Sequence, residues 1–362
     1  MPTQQLLPQG SAAAPGPRTT EDVVSEVQAE LDAQRELRLI GSEVGNLDKK
    51  WASKTKDEPG RFIRQDFTID PQALANFRRM QVFIPDTPCT DYGTFNPRNL
   101  LDGLRRGDKR MLKECFETLK EYGHLELLKK YPPDAVGNPH VFEHNGYRLT
   151  LRWHKHIHFL GLWKKYLENR LAPEYTGMDI GSSYGIYSSL LKRERPQSRH
   201  ILVDFPEQLL LARYFLGSLF PRARFAGVRE LKSLASIPRS FVESYDFILV
   251  PCSFYEKIDG GAVDLVTNYA SLGEMRRDWF NIYVKGAAFR GAKYFQTANR
   301  FESWPTYDTD LAIFDYPILD PAKKIYFGTS PVFSRMLYPV RRLLFLYERR
   351  MFPPYFDYIG AI

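Results

Sequence analysis

The sequence predicts an α/β protein with a mostly parallel, doubly wound sheet in its second half and a helical amino-terminal region before it. Two observations carry this reading. From Thr176 onward, short apolar runs alternate with helix-length segments: "GMDI", "HILVDF", "YDFILVP", "AVDLVTN" and "AKYFQTANR". Strands that alternate with helices form parallel βαβ units, because each crossover helix returns the chain to the end of the sheet where the previous strand began. The first run also ends in a glycine-containing turn, "DIGSSYG", that opens the next helix.

Length and composition set the bounds. At 362 residues the chain has room for one large or two ordinary domains with ample core. A hydrophobic share of 43% is that of a globular protein, and no apolar run nears the roughly 18 residues of a spanning helix. The start, "MPTQQLLPQGSAAAPGPRTT", has neither a basic region nor a useful apolar stretch, so no signal peptide is expected. Cys89, Cys115 and Cys252 are scattered without metal-ligand spacing. They suit a reducing cytoplasm and imply neither a disulfide framework nor a bound metal. The net charge of +7 is compatible with an anionic substrate or a membrane surface and too weak for a nucleic-acid footprint.

The elements follow in order. Residues 1–18, rich in Pro, Gly, Ala and Gln, are expected to be disordered. Residues 19–175 form the helical region. It starts at Thr19, an N-cap followed by acidic residues, with Val24, Val27 and Leu31 at helical spacing. That helix is expected to pack, or to pair two copies of the chain as a homodimer. Residues 42–100 are broken by Gly and Pro and carry no assignment. Helical patterns resume in "RNLLDGLRRGDKRMLKECFETLKEYGHLELLKKY" and "LRWHKHIHFLGLWKKYLENRL", which could cover a pocket. Residues 176–362 form the core. "YDFILVP" is taken as its third strand, with "RFAG" as the alternative, and "AVDLVTN" as its fourth. "KKIYFGTSPVF" is read as an antiparallel strand, and "SPVFSRMLYPVRRLLFLYERRMFPPYF" as a basic helix interrupted at Pro339. With Arg335, Arg341, Arg342, Arg349 and Arg350, that helix either packs on its own domain or rests on anionic lipid at the inner face of a membrane.

The turn is where chemistry is expected. Asp179 ends the first strand, and Gly181 and Gly185 follow in D-x-G-x-x-x-G spacing. Glycine takes positive φ and lets a ligand approach the backbone, while the next helix offers free N–H groups to an anion. Ser182 and Ser183 add hydroxyls. Asp204, at the end of "HILVDF", is placed to accept hydrogen bonds from both hydroxyls of a ribose; its plainer reading is an acid opening the helix at Pro206. A dinucleotide fingerprint would put glycine where Asp179 stands, and the aspartate's charge would repel a pyrophosphate. A carboxylate beside a glycine turn suits a ligand with a cationic amine and a ribose, as in S-adenosylmethionine.

On these residues the sequence resembles the class I S-adenosylmethionine-dependent methyltransferases. "DIGSSYG", "ILVDFPEQLLLARYFL", "VDLVTNYASLGEM" and "AKYFQTANR" occur in the order and rough spacing of the bacterial sugar O-methyltransferase family. The second stretch looks like that family's D-L-P-E motif and the third like its N-T-x-S-x-x-E-M motif. The resemblance covers Thr176 to Arg300. Ser182 and Ser183 depart from it, standing where glycines are more usual, as do Tyr269 and Ala270. It implies a Rossmann-like methyltransferase core, S-adenosylmethionine as cofactor, and O-methyl transfer to a hydroxyl. A sugar or glycan as the acceptor rests on the resemblance alone.

The reacting groups are expected outside the carboxyl ends of the strands. Pro251 and Cys252, with Ser253, would lie by the adenine, although Cys252 also reads as a small buried thiol. Asn268, Ser271 and Glu274 would share one face if helical, and Glu274 is the candidate general base or acceptor-orienting carboxylate. Ser271 and Glu274 also read as an S-x-x-E capping box for the following helix. Asn299 and Arg300 end the fifth strand, where Arg300 could hold an anionic group of the acceptor or make a surface salt bridge. His154, His156 and His158 alternate; in a helix only His154 and His158 share a face, where they could reach an acceptor or pack. Two other readings stand beside the sugar enzyme: a methyltransferase of a natural-product hydroxyl or amine, and a non-catalytic binding subunit of the same fold.

Overall fold

The computed structural model describes residues 16–40, 62–78, 108–139, 141–303, 309–334, 337–343, 346–351 and 354–362. Most of the expected disordered tail, residues 1–15, lies outside the described residues, as does Cys89.

Thr19 caps helix α1 (Thr20–Glu36) through a reciprocal pair: its hydroxyl accepts the Asp22 N–H, and the Asp22 carboxylate accepts the Thr19 N–H at 2.8 Å. Val23, Val27 and Leu31 of α1 are fully buried. They pack within the chain, and a Cβ on Gly217 would stand 3.2 Å from Val23. Arg18 extends the contact by donating to the carbonyls of Pro221 and Ala223. The apolar face that could have paired two copies is therefore used internally. α2 (Pro71–Ala75), α3 (Asp108–Glu121) and α4 (Leu125–Lys130) follow. A two-strand hairpin comes next, β1 (Phe142–His144) with β2 (Tyr147–Leu149). Asn145 and Gly146 turn it at φ 50° and 76°, which is the turn chemistry that matches strand twist. α5 (Trp153–Tyr166) is covered on most sides.

The sheet then begins. Its strands are β3 (Thr176–Ile180), β4 (Arg199–Asp204), β5 (Phe225–Ala226), β6 (Phe247–Pro251), β7 (Leu265–Tyr269), β8 (Tyr294–Arg300), β9 (Lys324–Thr329) and β12 (Tyr355–Ala361). They lie in the order β5-β6-β4-β3-β7-β8-β12-β9. β5 to β8 and β3 and β4 are all parallel, and β12 alone is antiparallel to its neighbours. The order reverses at β3, which pairs β4 on one side and β7 on the other. Such a reversal opens a crevice at the strands' carboxyl ends. α6 (Ile186–Glu194) and α7 (Pro206–Leu219) follow β3 and β4, while the short α8 (Val228–Leu231) and α9 (Arg239–Val242) separate β5 from β6. α10 (Arg277–Lys285) and α11 (Ala287–Arg290) cross from β7 to β8. Two apolar clusters bury the faces of the sheet, one shared with α1 and α5.

"YDFILVP" is thus the third core strand, and "RFAG" is an extra two-residue edge. The antiparallel strand is not "KKIYFG": β9 runs in the common direction, and the last segment of the chain, β12, is inserted between β8 and β9. The expected basic carboxy-terminal helix is also corrected. After a one-turn α12 (Pro331–Ser334) the chain forms β10 (Leu337–Leu343) and β11 (Leu346–Met351), an antiparallel hairpin with Pro339 opposite Arg349. Proline has no N–H to give a helix and clashes with the preceding turn, so an extended pairing is favoured there. The only helix among the described residues of that segment is the one-turn α12. Among the described residues no helix is long and apolar enough to cross one.

Candidate functional site

The turn after β3 is built from left-handed backbone. Gly181, Ser183 and Gly185 have φ of 70°, 52° and 85°. A Cβ on Gly181 would stand 2.1 Å from the Ser271 hydroxyl oxygen, so only glycine fits between β3 and the loop after β7. A Cβ on Gly185 would meet Leu202 and Leu216 at 3.0 Å, and Gly185 stands at the N-cap of α6. Ser183 holds a conformation that costs a side-chain-bearing residue energy. Its N–H donates to Asp204 Oδ2 at 2.6 Å, and the Phe205 N–H donates to Oδ1 at 2.7 Å. Asp204, at the end of β4, therefore ties the turn in place through two backbone N–H groups.

Asp179 lies beneath the turn and is only 6% exposed. Its carboxylate accepts one hydrogen bond, from Thr267 Oγ1 at 2.8 Å. Burial, with the nearby charge of Asp204, pushes its pKa up to about 7 against the Thr267 bond. Among the described residues it has no ion-pair partner. The Ser182 hydroxyl beside it is also buried, with no hydrogen-bond partner among the described residues. Two carboxylates and an orphaned hydroxyl thus face one bent turn. The set fits a ligand that brings a cationic amine to Asp179 and a diol to Asp204.

β6 brings the expected third wall. Pro251 is the register partner of Asp204, and Cys252 opens a short 3₁₀ turn, Cys252–Lys257, as a buried thiol outside any disulfide. Both stand on the Asp204 side of the reversal.

On the other side the expectations change. Asn268 sits inside β7, so Asn268, Ser271 and Glu274 do not share a helical face. Asn268 Nδ2 donates to the Ile180 carbonyl at 2.7 Å, and its Oδ1 accepts from Leu272 N–H and Asn299 Nδ2. Asn299 Oδ1 accepts the Gly273 N–H at 3.2 Å. The two asparagines knit the ends of β3, β7 and β8 together. The capping box is absent as well. Leu272–Glu274 is a 3₁₀ turn without a side-chain cap, Met275 is extended, and α10 starts at Arg277. Glu274 and Arg300, expected in separate roles, form a largely buried ion pair, with Nη2 to Oε1 at 2.7 Å.

α5 crosses this end of the site. His154 and His158 do share its buried face, but both are closed off from solvent, which removes them from direct contact with an acceptor. His158 Nε2 is 3.0 Å from Asp357 Oδ2 on β12. Neither ring nitrogen of His154 has a partner among the described residues, and burial drives its pKa well below the usual value. Sequence reasoning missed two other residues of α5 and its lead-in. Arg152 Nη1 reaches the Ser183 hydroxyl at 3.3 Å. Lys155 lies over the Phe333 ring at 4.2 Å and within the fields of Arg300 and Glu274. Their i, i+3 spacing was visible in "RWHK"; what they face depends on how α5 packs on the sheet. Among the described residues no group of three or more His, Cys, Asp or Glu is arranged to hold a metal ion.

No family model and no curated protein matches the chain. Among solved structures, the YcgJ protein of Bacillus subtilis is 13% identical with a TM-score of 0.36, covering 56% of this chain and 97% of that one. A SAM-dependent methyltransferase from Aquifex aeolicus is 13% identical with a TM-score of 0.28, covering 54% and 86%. Phosphoethanolamine N-methyltransferase 2 of Haemonchus contortus, in complex with S-adenosyl-L-methionine, is 11% identical with a TM-score of 0.28, covering 40% and 28%. The chain's own strand order, with its single antiparallel strand inserted next to the edge, is that of the Rossmann-like class I methyltransferase fold.

Proposed function

We propose that the chain is an S-adenosylmethionine-dependent methyltransferase that methylates a hydroxyl, that of a sugar or glycan. The observation that carries this reading is the pair of buried acids at adjacent strand ends, Asp179 and Asp204, on either side of a left-handed turn that leaves the Ser182 hydroxyl without a partner. Asp179 would hold the amine of the amino-acid portion, Asp204 the ribose, and Pro251 and Cys252 would flank the adenine. Such a cofactor supplies an electrophilic methyl group. The chain's own task is alignment, which contributes much of the rate of an in-line displacement, and removal of the acceptor's proton, typically about 10²–10⁴-fold.

Glu274 is assigned to that proton. Arg300, bonded to one of its oxygens, fixes the direction of the carboxylate. Asn268, Ser271 and Asn299 hold the loop that carries it. The sugar or glycan comes from the motif resemblance, and the buried thiols Cys115 and Cys252 accord with a reducing, cytoplasmic setting. Calorimetric titration with S-adenosylhomocysteine and, separately, NAD tests the reading. Binding of the first alone supports it. Binding of neither would leave the turn as a structural corner and favour a non-catalytic protein of this fold.

A further inference from the structure

The inward face of α1 changes character along its length. Its first turns bury Val23, Val27 and Leu31. Further on, the same face carries Glu30 and Gln34, only 5% and 0% exposed. Burying polar side chains is unfavourable unless they are hydrogen-bonded, so a helix that merely packed would be served better by leucine at both positions. What these two side chains gain is backbone contact. Glu30 Oε1 accepts the Val228 N–H at 2.8 Å, and a Cβ on Gly227 would stand 2.3 Å from its other oxygen. Gln34 Nε2 donates to the Pro206 carbonyl at 3.3 Å. Ala33 and Leu39 cluster with Val228, and Phe254 packs against them.

The three points that α1 meets share one position in the fold. Pro206 follows the carboxyl end of β4, Phe254 that of β6, and Val228 that of β5. β4, β6 and β5 are the three strands on the Asp204 side of the reversal. The second half of α1 therefore braces every segment that leaves the sheet where a nucleoside would lie.

From this arrangement we infer that α1 is part of the nucleoside half of the cofactor site, with Gln34 as a positioning residue for Asp204. The inference deepens the methyltransferase reading and rests on it for the identity of the ligand. The link is short. Asp204 Oδ1 accepts the Phe205 N–H at 2.7 Å, and the next residue, Pro206, presents the carbonyl that Gln34 holds. Because the proline ring fixes φ, holding its carbonyl also sets the direction in which the chain leaves Asp204. Gln34 Oε1 is buried without a hydrogen-bond partner, so the amide serves through its donor end. It does not touch the cofactor; it holds the carboxylate in place before a ribose arrives, which lowers the cost of ordering on binding.

The test uses the full chain with Gln34→Met and Gln34→Leu, which keep an apolar side chain against the core and remove the donor. S-adenosylhomocysteine affinity is measured by calorimetry, with melting temperature and the hydrogen exchange of the Ser183 and Phe205 amides, both of which end on Asp204. Affinity is expected to fall about threefold or more, the scale of one hydrogen bond, and both amides to exchange faster. The melting temperature should not fall, because an apolar side chain replaces an amide whose oxygen is orphaned. Val27→Ala, which loosens α1 by a cavity instead, should lower the melting temperature and leave the affinity unchanged. Unchanged affinity and exchange in both Gln34 variants, an affinity that falls only in step with melting temperature, or an equal loss of affinity in Val27→Ala would overturn the inference. A wild-type chain that does not bind S-adenosylhomocysteine would sink the methyl-transfer reading; faster exchange at Ser183 and Phe205 in Gln34→Met would then still uphold the tie to Asp204, and unchanged exchange would overturn it as well.

Discussion

Asp179 makes cofactor binding depend on pH in a direction that its surroundings dictate. Its carboxylate is buried, has a single hydroxyl partner in Thr267, and shares its turn with Asp204. Its pKa is therefore raised to about 7, so the folded protein carries it largely protonated at pH 6 and largely ionised at pH 8. A ligand ammonium binds the ionised form. Binding must then expel a proton below pH 7, and affinity should fall about tenfold between pH 8 and pH 6. The stability of the free protein runs the other way. An acid whose folded pKa is raised favours the fold while protonated, and that contribution is lost as pH rises from the unfolded value of 3.8 through about 7. A rise of about three pKa units corresponds to an order-of-magnitude penalty of about 4 kcal/mol above pH 7. Asp179→Asn keeps the shape and an acceptor for Thr267 but cannot ionise. It should stabilise the free protein at pH 8, weaken S-adenosylhomocysteine binding, and flatten its pH dependence. Calorimetry in buffers of different ionisation enthalpy, with melting temperatures at both pH values, measures all three. A wild-type affinity that does not change between pH 6 and 8, or an Asn variant with the same slope, refutes the linkage.

Asp204→Ala removes the acceptor of two backbone N–H groups as well as the ribose contact; at about 1–3 kcal/mol for each buried group left unsatisfied, both urea stability and cofactor affinity should fall sharply. Glu274→Gln should leave cofactor affinity intact and slow turnover, and equal losses of binding in the two variants would contradict the division of roles. Gly181→Ala sets a Cβ 2.1 Å from the Ser271 oxygen at a φ of 70°, so it should destabilise the fold, with Ser271→Gly restoring the steric part but not the backbone strain; full rescue would show the strain to be negligible. Burial lowers the pKa of His124 to about 4 and holds those of His154 and His200 well below the usual value. These rings stay neutral in the fold and protonate on unfolding, so stability should decline as pH falls from about 6.5 toward 4; a melting temperature that holds steady across that window would count against it.

What the sequence disclosed, and what it hid, follows from the range of the forces involved. The strands of the core were legible because each is a short apolar run bounded by turn residues, and the turn was legible because left-handed backbone leaves its mark as glycine. Ser183 shows the limit of that mark. It adopts the same backbone without being glycine, held by an acid from the next strand. The capping-box pattern at Ser271 failed because Gly273 and an extended Met275 divide it from α10. The carboxy-terminal segment mixes Leu, Tyr and Arg with no dominant period, so its basic residues suggest a helix, and only the pairing of Pro339 opposite Arg349 shows otherwise. The Asn145–Gly146 hairpin went unread, although such a dipeptide marks two-residue turns. Asp357, a lone acid in the apolar "YFDYIGA", had no local explanation. Its reason is His158, which lies far away in sequence.

That distant pair bears on how the helical region serves the site. α5 approaches β12 with His158 bonded to Asp357, both almost fully buried. One turn on, Gly161 leaves room for the His124 ring, which a Cβ would meet at 2.3 Å. At its start, Trp153 Nε1 donates to the Tyr131 carbonyl at 2.7 Å. These three contacts fix the helix along its length, so Arg152 and Lys155 arrive at the turn and at the Glu274–Arg300 pair without a flexible loop between them. Groups held by packing lose little entropy when a ligand engages them, which is how a site achieves preorganisation. The buried histidines therefore act on the chemistry at one remove. They hold the helix that carries Arg152 to the turn.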